Sequence, residues 1–200
     1  MGNQVLEKSR EAGQKRIEIE LVLQCTPLIS GLKASNLFMA SPSDEKMTRM
    51  LLSHTDISFY RLLKSEKKAA FLLFRRNQLE IFLMQKEVLD ILKEEGYQKY
   101  SLGNILFTFQ RRYEAYMEGK IQFPHEMGLL LGYPAEDVKG FMEHKGKNFL
   151  CSGYWKVYHD MPEKVRLFHR FDAVRNHFLL LVCSGVCIED MIDICSENIF

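Results

Sequence analysis

A chain of 200 residues, 46% of them hydrophobic and 12% aromatic, carries enough apolar material for a sizeable core in one domain. Its 27 basic and 26 acidic residues leave a net charge of +1, so no broad field draws it to nucleic acid or to anionic lipid. Five cysteines (Cys25, Cys151, Cys183, Cys187 and Cys195) are an odd number without an apolar leader, which argues against a disulfide framework and for a reducing cytoplasm.

The longest charge-free apolar run, Phe178 to Ile188, is interrupted by Ser184 and Gly185 and falls short of the roughly 20 residues that span a bilayer. The opening Met-Gly has Leu6 where an acylation signal needs Ser or Thr. The sequence therefore points away from nucleic-acid and membrane partners and towards a small-molecule ligand or a protein partner.

Residues 1–15 are polar and read as a flexible terminus, 16–182 as a single domain and 183–200 as a helical extension. Ile17, Leu21 and Cys25 recur at four-residue intervals, which predicts a helix that closes at Cys25. Thr26-Pro27 then has the form of an N-cap with proline at the first helical position, so Cys25 should lie beside a new helix N-terminus. Backbone N–H groups there favour the thiolate, which makes Cys25 a candidate nucleophile. The competing expectation is a small apolar residue filling the core. Cys25-Thr26-Pro27 also matches a Cys-x-Pro haem ligand, a pattern that any turn between helices can produce.

Residues 32–38 are a candidate strand, and Ser41-Pro42-Ser43-Asp44-Glu45 opens a helix to about Leu52. The runs 57–64 and 68–76, joined by Ser65-Glu66-Lys67, read as a β-hairpin. Ala69 to Phe74 is apolar on both faces, so this strand belongs at the centre of a sheet covered on both sides. Asn77 to Glu95 reads as one amphipathic helix stopped by Gly96, and Ser101 starts another that ends near Met117.

The most distinctive stretch is 122–158. Phe123-Pro124-His125-Glu126 opens a short helix that Gly132 ends, and Pro134 begins a second that stops before Gly146. An extended segment, 148–158, follows this helical hairpin. Polar and aromatic side chains converge where the two meet: His125, Glu126, Tyr133, Lys147, Asn148, Tyr154 and Lys156 are the candidate ligand-binding residues. Gly140 to Lys147 is not a phosphate loop, because Asn148 stands where a magnesium-binding Ser or Thr is needed and the order is helix then strand.

The run FPHEMGLLLGYPAEDVKGFMEHKGKNFLCSGYWKVY, with Cys25-Thr26-Pro27, Gly31-Leu32-Lys33 and Asn36-Leu37 before it, resembles the domain-of-unknown-function 3793 family. The resemblance covers most of residues 16–175 and implies a bacterial protein, the family being found mainly in anaerobes. It implies no activity, and the tail from Cys183 onwards does not share it.

A long helix starts at Met161-Pro162, with Val165, Phe168, Phe171, Val174, Phe178 and Leu181 forming one apolar stripe. His169, Asp172 and His177 lack a shared metal-ligand spacing, and Asp190 stands where a radical-type iron–sulfur signature needs another cysteine after Cys183 and Cys187. No metal site is expected and no cofactor is indicated. The fold expected is α+β, a small, mainly antiparallel sheet of three to four strands (57–64, 68–76, 148–158 and the candidate 32–38) covered by about six helices. The function expected is that of a cytoplasmic, non-catalytic small-ligand-binding or accessory protein. Its pocket should lie between the 123–146 hairpin and strand 153–158. The alternative is a thiol-dependent enzyme with Cys25 as nucleophile and His125 as base.

Overall fold

The computed structural model describes residues 2–197. Its centre is an antiparallel sheet of β1 (Ser35–Ala40), β2 (Ile57–Lys64) and β3 (Ala69–Arg75) in the order β1-β3-β2. Every residue of β3 is buried. Alternation sends Ala70, Leu72 and Phe74 to one face and Ala69, Phe71 and Leu73 to the other, and each set joins a different apolar cluster. A fully buried Leu or Phe contributes about 1.5–3 kcal/mol, so a strand apolar on both sides is stable only between two helical layers.

One layer holds α1 (Gly2–Ile29), α2 (Glu45–Leu52), α8 (Met161–Cys183) and α9 (Ile188–Glu197). The other holds α3 (Arg76–Leu83), α4 (Lys86–Glu94), α5 (Leu102–Met117), α6 (Met127–Leu130) and α7 (Ala135–Glu143). The hairpin turn is closed by Ser65, whose N–H and hydroxyl both donate to the Lys68 carbonyl at 2.8 and 3.0 Å. Arg75, at the end of β3, donates to the Leu28 and Ile29 carbonyls at 3.4 and 3.1 Å and ion-pairs with Asp56. It thereby satisfies carbonyls at the buried C-terminal end of α1.

Three expectations change. The helix does not stop at Cys25: α1 runs through Thr26 and Pro27, and Thr26 Oγ1 donates to the Val22 carbonyl at 2.5 Å. Proline in this last turn removes one backbone hydrogen bond near the helix end, and α1 extends back to Gly2. The single helix over 77–95 is two, broken at Met84-Gln85. Leu79 and Leu83 would be followed on the same face by Glu87, and the break brings Val88, Ile91 and Leu92 into the core instead.

Segment 148–158 does not join the main sheet. It folds back on itself as a two-residue ribbon, β4 (Cys151–Ser152) against β5 (Lys156–Val157). Gly153 at its turn presses on α8, and a Cβ there would lie 2.3 Å from the Phe168 ring. Ile188, Met191 and Ile192 of α9 pack into the core. The described residues thus form nine helices, a three-stranded sheet and a two-stranded ribbon, an α+β fold. None of these helices is long and apolar enough to cross a membrane.

Candidate functional site

A cavity of about 250 Å³ opens where the α6–α7 hairpin meets β5. Its walls are aromatic (Phe123, Tyr133, Phe141 and Trp155) and Met127, Leu131 and Val138 add aliphatic surface. Tyr133 and Trp155 stack with centroids 4.9 Å apart, and Phe168 of α8 meets the indole edge-on at 4.6 Å.

Asp137 fixes this corner. Although 2% exposed, its carboxylate accepts the Trp155 indole N–H at 2.7 Å on one oxygen and the Tyr158 and His159 N–H groups at 2.7 and 3.0 Å on the other. Three donors satisfy the carboxylate and bolt the segment after β5 to the first turn of α7. Gly140, one turn on, lets Tyr158 approach, since a Cβ there would lie 2.6 Å from that ring. Asp137 thus lines the cavity with its carboxylate already held by three protein donors. Tyr133 donates its hydroxyl to the Tyr154 carbonyl at 3.4 Å, and burial pushes its pKa up.

Two lining groups keep unused hydrogen-bonding capacity. His125 is sandwiched between Phe123 and Phe141 at 5.5 and 5.0 Å, and among the described residues its ring nitrogens make no hydrogen bond. Lys156 donates to the Gly146 carbonyl at 2.7 Å and lies over Phe149 at 4.9 Å and Phe141 at 5.6 Å, leaving two N–H donors. An aromatic chamber with one imidazole and one ammonium is complementary to an apolar molecule with a single acidic group.

A family model described as "Protein of unknown function (DUF3793)" matches residues 21–192. The chain belongs to the DUF3793 family. The match takes in the cavity and the first half of α9, which lies in the tail the sequence reading left outside the resemblance. No curated protein and no solved structure matches the chain.

In this DUF3793 protein the cavity brings together three of the seven candidate residues: His125, Tyr133 and Lys156. Glu126 lies outside it, fully buried, taking Arg112 Nε at 2.6 Å and the Tyr97 hydroxyl at 3.1 Å on one oxygen. Arg112 continues to Glu95 at 2.7 Å, so Glu126 anchors the hairpin to α4 and α5. Burial and then Glu126 push the Tyr97 phenol pKa up. Tyr154 turns to α8, donating to Asp172 at 2.9 Å and accepting from Arg175 at 3.0 Å. Its pKa is pushed up to about 12 by burial and the Asp172 bond. Lys147 and Asn148 are exposed, and Asn148 has φ 57°, a left-handed conformation that asparagine tolerates well.

Cys25 lies inside α1, fully buried in the cluster on the far face of the sheet. Its sulfur is 3.7 Å from Asn36 Nδ2 and 3.8 Å from the Leu37 carbonyl. Burial pushes the thiol up to about 12, the reverse of what a nucleophile or a thiolate ligand needs. The helix N-terminus expected beside it does not exist, and its polar contacts do not include His125. Among the described residues no group of three or more His, Cys, Asp or Glu side chains is placed to hold a metal ion.

The candidate residues named from the sequence do not include Phe123, Phe141 and Trp155, which line the cavity. The overlooked signal is their density: Phe123, Tyr133, Phe141, Phe149, Tyr154, Trp155 and Tyr158 fall within one short segment. That is more aromatic surface than so small a corner can fill with itself.

Proposed function

We propose that this protein binds, without transforming, a small and largely apolar molecule bearing one acidic group, in the cavity between the 123–146 hairpin and β5. A single observation carries the reading: within an aromatic chamber, the lining side chains with unused hydrogen-bond donors are an imidazole and an ammonium, His125 and Lys156. The volume supports a metabolite-sized ligand, since pockets for drug-sized molecules run to about 300–1,000 Å³. With no serine, threonine or cysteine in the lining, the two donor groups support binding over catalysis. All five cysteines are free thiols, which supports a reducing cytoplasm as its location.

Trp155 is the only tryptophan and forms part of the wall, so its emission reports occupancy. Titration with benzoate and phenylacetate should shift that emission with saturation, and Lys156→Met should weaken binding at least tenfold while neutral benzamide binds both proteins alike. Absence of any shift and of any thermal stabilisation across the acids, or equal affinity of the Lys156→Met protein for benzoate, overturns the reading.

A further inference from the structure

A second cavity, of about 380 Å³, lies away from the first, between α8, α9 and the turn after α1. Its α8 wall is Arg170, Ala173, Val174, His177, Phe178 and Leu181, the i, i+3, i+4, i+7, i+8, i+11 series that makes one continuous helix face. Eleven residues from Arg170 to Leu181 give a wall about 16 Å long. Leu32 of the turn and Met191 and Ile194 of α9 complete an apolar trough.

The charge along this trough has one sign. Arg170 and His177 are exposed basic side chains in the lining, and no carboxylate lines it. Arg170 makes no ion pair among the described residues: Asp172, two positions on, is held by Tyr154 and Arg175. The Arg170 guanidinium is therefore free to take a ligand carboxylate, for which its planar fork of donors is suited. It stands at one end of the wall, with Leu181 at the other.

From the apolar length, the guanidinium at one end and the absence of acid, we infer that this trough is a second binding site, for a free unbranched alkyl carboxylate. Its head engages Arg170, and its chain runs along Val174 and Phe178 towards Leu181 and Met191. An extended chain advances about 1.2 Å per bond, so the wall accommodates roughly a dozen bonds. Dodecanoate is the matching probe.

Calorimetric titration of the full chain with dodecanoate, below its micellar concentration, should show one saturable site. Arg170→Glu should lower the affinity at least tenfold, and dodecanol should bind the wild-type and Arg170→Glu proteins equally and weakly. Val174→Trp should fill the trough and abolish dodecanoate binding. Both variants should retain wild-type circular dichroism and the wild-type benzoate response of Trp155, which keeps this site separable from the first. No dodecanoate binding, or binding unchanged in both folded variants, overturns the inference. Dodecanoate competing with benzoate and lost in Lys156→Met also overturns it, by placing the chain in the other cavity. Co-sedimentation with phosphatidylglycerol vesicles that Arg170→Glu abolishes, without binding of free dodecanoate, overturns it in favour of a membrane lipid.

Discussion

The sheet and the 123–158 corner are held together by different forces. β3 is fixed by apolar burial on two faces, an interaction that depends on area and volume and hardly on direction. The corner is fixed by carboxylates in chosen geometry: Asp137 with three donors and Glu126 with an arginine and a tyrosine. Apolar burial tolerates exchange of one hydrophobe for another, whereas a buried carboxylate is tied to its donors atom by atom.

The largest expected effect is at the sheet centre. Phe71→Ala removes a fully buried ring that packs on Phe59 at 4.4 Å and should cost about 4 kcal/mol, read as a lower urea midpoint with unchanged m. The isosteric change Asp137→Asn should cost about 2 kcal/mol and shift Trp155 emission to the red, because its amide must turn N–H groups towards donors. Phe71→Leu, larger in volume change, should cost only about 1 kcal/mol. If Asp137→Asn proves milder than Phe71→Leu, the contrast between the two regions fails.

The smallest effect comes from Lys33, which joins the regions: it precedes β1, and its ammonium lies 4.9 Å from the centroid of the Tyr133 ring. Burial pulls its pKa down to about 8 from an ordinary value of 10.5. Between these values the unfolded chain binds more protons than the folded one, so folding stability rises with pH across that window. Cys25 acts oppositely, because its folded pKa of about 12 exceeds the ordinary 9, and stability falls as pH rises from 9 to 12. Urea unfolding should therefore show a gain of about 1 kcal/mol from pH 7 to 9 that flattens above pH 9, and Lys33→Met should abolish the gain. A wild-type curve that declines from pH 7 to 9 would contradict this placement of Lys33.

The same contrast explains what could be read from the sequence. Apolar patterns are one-dimensional: Ala69 to Phe74 announces a central strand, and the stripe from Val165 to Leu181 announces α8. The meeting of hairpin and extended segment is legible as a place, because glycine and proline punctuate it. The partners of Asp137 and Glu126 are not, since Trp155 lies 18 residues from Asp137 and Arg112 lies 14 from Glu126, and nothing local names a donor at that range. Thr26-Pro27 misleads for a related reason: the threonine bonds backwards to Val22, so the same two residues serve a helix near its end as well as one at its start. Lys147 and Asn148 look functional in sequence because an Asn in a left-handed turn and a ligand-binding Asn are written with the same letter.

Arg75 sets an order of events as well as a contact. The last turn of α1 is closed by a side chain 46 and 47 residues downstream, so a chain emerging from the ribosome carries an unfinished first helix until the third strand has followed. Stalled nascent chains ending shortly before residue 75 lack the group that completes α1, and those extended far enough to expose Arg75 possess it. The C-terminal turn of α1 is thus completed by a side chain at the end of β3.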